Sequence, residues 1–175
     1  MQYAELRPQI KTGDAILWKS RGAIPWLIQR FSAFSHASLV VRLDRYEEFT
    51  DRIFLVEALA AGVQLRLLSE RLKNHRGETF WFKPIGLSHS ARTRIGTSAL
   101  DVCARGIPYD YGSLFRNMLG RVSLNARRYF CSEFIWDMWR KAPFFQAVMG
   151  PVTAPRPGDI PVWIKGQLTR IDKEA

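Results

Sequence analysis

Cysteine is scarce in this chain: two residues among 175, Cys103 and Cys131, with no CxxC pair and no Cys/His cluster of metal-binding spacing. That excludes a disulfide framework and offers no zinc signature, although a single bridge stays open. Long hydrophobic runs are missing too, and none reaches the roughly 18 residues of a membrane span. The first twelve residues include Glu5, Arg7 and Lys11 and lack the apolar stretch of a signal peptide. The expected location is therefore the cytoplasm, unless a leader has been removed or release takes another route. Repeats, low-complexity tracts and linkers are absent, which leads to the expectation of one domain spanning residues 1–175. No nucleic-acid motif and no long block of like charge is present.

What is present is ordinary globular composition, 47% hydrophobic and 24% charged, with a net charge of +10. Such an excess favours anionic partners: nucleic acid, anionic lipid or a charged cell-wall polymer. It does not choose among them, and a soluble protein with a merely basic surface accounts for it equally well.

Hydrophobic patterning predicts the elements. Ala15–Trp18 reads as a short buried strand after the Gly13-Asp14 turn. Residues 23–34 read as a helix with Pro25 near its start. Strands are expected at 36–43, 53–59, 63–67 and 79–83, with 44–51 as a polar loop. Helices are expected at 88–105 and 131–140. A Pro-rich extended tail, 151–158, leads to a short strand at 160–164. The sum is an α+β fold, an antiparallel sheet packed against helices.

Three residues stand out chemically. Cys131 lies at the predicted start of a helix, where unpaired N–H groups stabilise a thiolate, the reactive form of cysteine. A buried structural cysteine is the alternative. Cys103 falls on the apolar face of a helix with no such end nearby and reads as core. His36 opens an apolar strand and shares one face with Ser38 and Val40. His75 falls in a polar loop, and His89 begins a helix. Glu57 interrupts the run Ile53–Ala61; a carboxylate buried there must be paired, and a histidine would serve. An edge-strand glutamate facing water is the other reading. Together the three have the residue types of a nucleophile, a base and an orienting carboxylate.

Five fragments carry a family resemblance: Gly13-Asp14 before a strand, Ser35-His36 opening another, Val56-Glu57-Ala58 followed by Gly62-Val63, Gly106-Ile107-Pro108-Tyr109-Asp110, and Tyr129-Phe130-Cys131-Ser132-Glu133. In this order they resemble the circularly permuted papain-like enzymes of the NlpC-like superfamily, a bacterial and phage group related to the lecithin retinol acyltransferase fold. The resemblance implies Cys131 as nucleophile, His36 as base and Glu57 as third member. Lecithin retinol acyltransferase relatives have a second histidine in place of Glu57, so the carboxylate points to the bacterial branch. Tyr109 matches a recurrent Tyr-Asp pair and lines the cleft or meets the oxyanion; a turn residue after Pro108 is its alternative, and Tyr111 is a weaker candidate for the same role. The implied activity is cysteine amidase or peptidase chemistry through an acyl-enzyme, on an acyl substrate such as a cell-wall peptide, without metal or cofactor. Two other functions compete. One is a lipid- or thioester-directed acyltransferase or esterase, suggested by Trp18, Trp26, Phe31 and Phe34 interleaved with Lys19, Arg21 and Arg30. The other is an inactive basic binding module.

Overall fold

The computed structural model describes residues 1–43, 52–59, 61–106, 131–143, 145 and 155–172. Six strands form one antiparallel sheet: β1 (Ala15–Ser20), β2 (His36–Leu43), β3 (Arg52–Leu59), β4 (Gly62–Leu67), β5 (Gly77–Pro84) and β6 (Gly166–Ile171), in the order β4-β3-β2-β1-β5-β6. The helices are α1 (Tyr3–Leu6), α2 (Ala23–Gln29), α3 (Leu68–Asn74), α4 (His89–Ala104), α5 (Cys131–Arg140) and α6 (Ile160–Trp163).

Strand alternation gives the sheet two apolar faces. Ala15, Leu17, Ala37, Leu39, Val41, Val56 and Ala58 point to one side, where they bury against Ile95 and Ala99 of α4 and Phe134, Ile135 and Met138 of α5. Ile16, Trp18, Val40, Ile53, Leu55 and Trp81 point to the other, covered by Leu6, Ile10 and by Leu68 and Leu72 of α3. The strands in the middle thus have no wet face, which explains their near-continuous apolar runs. α4 is capped by the Ser88 hydroxyl, which accepts from the Ala91 N–H at 3.2 Å.

Gly13-Asp14 does more than turn the chain. The Asp14 carboxylate, fully buried, accepts from the Lys11 N–H (2.9 Å), the Trp81 indole (2.9 Å) and Arg92 (2.7 Å). Arg92 also donates to the Thr12 carbonyl at 2.6 Å, and Trp139 of α5 donates to the Gly13 carbonyl at 2.9 Å. This knot ties β1, β5, α4 and α5 together at the end of β1 away from His36.

Several expectations change. The strand expected at 160–164 is the helix α6, because Pro161 has no N–H for a ladder and its fixed φ suits a helix's first turn. The strand lies further on, as β6, where Gly166 to Ile171 pair with Pro84 to Thr79. It is an exposed edge, so its sequence lacks the apolar alternation that would have revealed it. The helix expected over 23–34 ends at Gln29; Ser32 then turns the chain, its hydroxyl donating to the Phe34 carbonyl and accepting from Gly158 N–H at 2.8 Å each. α3 was not expected at all. The loop at 44–51 and the tail at 151–154 lie outside the described residues. Both cysteines are free thiols, which closes the option of a bridge between them. Among the described residues no helix is long and apolar enough to cross a membrane.

Candidate active site

β2 and β3 are hydrogen-bonded from Leu43↔Arg52 to Leu39↔Val56, and there the ladder stops. Beyond it, β2 stays paired with β1 down to Trp18↔His36, while β3 continues on β4 to Leu59↔Gly62. The parting of β2 and β3 leaves backbone groups of a central strand without a strand partner. Val40 donates toward β1, to the Asp14 carbonyl, so by alternation the Ala37 N–H points to the β3 side. Cys131, the first residue of α5, fills the opening. The N–H groups of Ala37 and Ser132 and the His36 ring act on its sulfur and favour its thiolate.

On the far side of that ring, His36 Nε2 meets Glu57 Oε1 at 3.0 Å. Nε2 being engaged, Nδ1 is the nitrogen left to face the sulfur. Glu57 is fully buried and receives more than the histidine. The Ser38 hydroxyl donates to Oε1 at 2.6 Å, Arg71 Nε to Oε2 at 2.9 Å, and a second Arg71 nitrogen to Oε1 at 3.3 Å. Ser38 is itself held by the Trp18 indole N–H at 2.7 Å, and the Arg71 guanidinium lies over the Trp18 ring, 5.0 Å from its centroid. The opposite edge of this support is His75, buried and packed edge-on to Trp18 at 4.7 Å. It is not the polar-loop residue its sequence neighbours suggest.

The charges follow from these contacts. Burial pushes Glu57 up, but the bond and charge of His36, the charge of Arg71 and the Ser38 hydroxyl bring it down to about 2. For His36, burial works downward, and the Cys131 charge and hydrogen bond with those of Glu57 raise it to about 9. Burial raises the Cys131 thiol, yet the His36 charge, its hydrogen bond and the two backbone N–H groups more than reverse this and hold it below the ordinary thiol value. At neutral pH the arrangement is an imidazolium backed by a carboxylate, beside a thiol whose thiolate form is favoured. Cys103 shows the contrast: half-buried in the last turn of α4, its thiol donates to the Val63 carbonyl at 3.8 Å and burial alone moves it, upward.

The sequence pointed to Cys131, His36 and Glu57, and the fold brings all three together. Tyr109 and Tyr111 lie outside the described residues. Arg71 and the Trp18–Ser38 bond went unrecognised; Ser38 was visible only as a residue sharing the face of His36. Of the aromatic stripe, Trp18 and Phe34 are core, while Trp26 and Phe31 are 61% and 50% exposed.

The comparisons with known proteins agree with this fold. Among solved structures, the metalloprotein YiiX from Escherichia coli O157:H7 superposes with a TM-score of 0.62 at 23% identity, over 78% of this chain and 68% of that one. At that identity the likeness speaks to the fold. Among the described residues here, no group of three His, Cys, Asp or Glu side chains is arranged to hold a metal ion. His36 Nε2 and Glu57 Oε1 face each other, and the remaining Glu57 oxygen faces Arg71, so these donors do not fit a metal. No curated protein matches the chain. A family model described as permuted papain-like amidase enzyme, YaeF/YiiX, C92 family, matches residues 9–148. The chain is thus a member of the C92 family of permuted papain-like amidases, a family of cysteine hydrolases.

Proposed function

We propose that the protein cleaves an amide bond, in a peptide of the kind found in bacterial cell walls, through a Cys131–His36–Glu57 triad and a thioester intermediate. The observation that carries this reading is the polar line from the Cys131 sulfur to the His36 imidazole to the buried Glu57 carboxylate, its imidazole–carboxylate bond 3.0 Å long. The imidazolium already holds the proton, so the Cys131 thiolate attacks the carbonyl carbon directly. N–H groups at the start of α5 supply donors for the oxyanion. His36 then gives its proton to the leaving nitrogen, the C–N bond breaks, and a thioester remains on Cys131. Neutral His36 next takes a proton from water as the water attacks the thioester, which releases the acid and restores the ion pair. Glu57 keeps the ring in one orientation and favours its charged form. We read residues 1–175 as one catalytic domain, with the net charge of +10 suited to an anionic wall polymer.

A second reading has its own observation: Trp26 and Phe31 stand exposed, with Arg30 stacked on Trp26 at 5.5 Å. An acyl lipid or thioester would use the same nucleophile and fit that rim. The test is a panel of peptidoglycan fragments, acyl lipids and acyl thioesters, with product followed by mass spectrometry. Release of an amine from the peptide fragments, lost in Cys131→Ala, is the expected result. Turnover of lipid or thioester donors alone would transfer the assignment to the second reading.

A further inference from the structure

Glu57 is fully buried in the sheet, yet its carboxyl is held down at about 2. His36 is one reason. The charge of Arg71, on α3, is a second, and the Ser38 hydroxyl a third. The planar fork of Arg71 meets both carboxylate oxygens, at 2.9 and 3.3 Å, and its guanidinium lies over the Trp18 ring. The same Trp18 donates to Ser38, which donates to Glu57, so one indole aligns two of the three donors on the carboxylate.

Count the charges in the active state. Arg71 and His36 are positive, and Glu57 and Cys131 negative, so the cluster is neutral. Without Arg71 it would carry one net negative charge inside the protein. The groups that face Glu57 from each neighbouring element are His36 from β2, Arg71 from α3 and, behind the Trp18 ring, His75 at the C-terminal end of α3. From β4 the cross-strand partner is the uncharged Gln64. On α5 the buried Glu133 follows Cys131 by two positions. Arg71 is therefore the cation that answers the carboxylate when His36 has given its proton away.

We propose that Arg71 is a positioning residue of the active site: it neutralises and aligns Glu57, so that the Cys131–His36 ion pair forms without leaving an uncompensated negative charge in the fold. This rests on the triad reading above. The consequence is a definite sign. Loss of the Arg71 charge makes the potential at the site more negative. Forming the thiolate becomes harder and losing the imidazolium proton becomes harder, so both limbs of the pH profile move to higher pH.

The experiment follows the rate of Cys131 alkylation by iodoacetamide against pH, peptide by peptide, with Cys103 as the internal reference. In the native protein Cys131 reacts far faster than Cys103. In Arg71→Gln both limbs rise, the alkaline limb of His36 by about one pH unit and the acid limb of Cys131 by less. Arg71→Met keeps the apolar stem over Trp18 and gives a second neutral variant should the first not fold. Arg71→Lys restores the charge and returns the limbs toward their native positions, although the fork is lost. A purely structural arginine would lower the melting temperature and leave the limbs where they are; that result in a folded neutral variant overturns the proposal. Equal, slow labelling of Cys131 and Cys103 in the native protein would instead remove the triad reading itself. Fast native labelling with unmoved limbs removes only the role of Arg71.

Discussion

Two fully buried carboxylates, Asp14 just before β1 and Glu57 on β3, sit two strands apart in this sheet and are built alike. Each is met by one arginine, Arg92 or Arg71, and each is tied to one tryptophan, directly by Trp81 or through Ser38 by Trp18. They differ in what else touches them. Asp14 has a backbone N–H and joins loop, sheet and helix. Glu57 has an imidazole, and behind it a thiol. The electrostatic outcome diverges accordingly. Burial raises Asp14 and its donors do not fully offset it, whereas Glu57 is brought down to about 2. A buried carboxylate clamped by arginine and tryptophan is thus a framework device in this protein, and adding a histidine at a strand end turns it into a member of the proposed triad.

The comparison can be broken from either end. The largest effect is expected at the reactive end. Cys131→Ala should lower turnover by about 10⁴-fold or more with the melting temperature nearly unchanged, since the sulfur is small and the polar line behind it stays intact. Steady-state kinetics and a thermal melt together check it. At the other end, Asp14→Ala strands Arg92 and the Trp81 indole and should reduce stability by about 3–5 kcal/mol. The folded fraction should still alkylate Cys131 at the native rate, a combination that Cys131→Ala reverses.

Acid sharpens the contrast. The folded pKa of Glu57, about 2, lies below its ordinary 4.5. Its ionisation therefore contributes stability that is fully present above pH 4.5 and lost as pH falls toward 2, about 3 kcal/mol in all. Asp14 is raised above its ordinary 3.8, so protonation at low pH favours the fold and works against that loss. Urea melts through this range should show the fall, and Glu57→Gln should flatten it. The smallest expected effect is Ser38→Ala. It removes one donor to Glu57 and leaves the buried Trp18 N–H unmatched, about 1–2 kcal/mol of stability. No equivalent weakness exists at Asp14, where Trp81 reaches the carboxylate itself.

How much of this the residues foretold depends on where each one's partners lie. Glu57 was legible because a charge inside Ile53–Ala61 has to find a partner, and His36 on the neighbouring strand was at hand. Cys131 stood out less for its place at a helix start, which suits a buried core cysteine as well, than for the company of His36, Glu57 and the family fragments. Arg71 was not legible, since one arginine in a strongly basic chain looks like solvated surface, and the short helix that aims it inward is marked by neither cap nor long periodicity. Asp14 read as a turn residue for the same reason: its partners Trp81 and Arg92 are 67 and 78 positions away. The strand misplaced at 160–164 shows the opposite error, where β-branched and apolar residues outweighed the backbone chemistry of Pro161. His75 read as loop because its burial comes from Trp18, not from its own neighbours.

The parting of β2 and β3 beyond Leu39↔Val56 has a consequence for how the chain acquires its chemistry. His36 and Glu57 lie on strands close in sequence and can meet early. Cys131 must arrive across about a hundred residues, after α5 docks against the sheet, and only then do the Ala37 N–H and the imidazole act on its sulfur. Until that closure the thiol is an ordinary one, largely protonated. The rate at which Cys131 takes up an alkylating reagent during refolding is therefore expected to be a clock for the docking of α5.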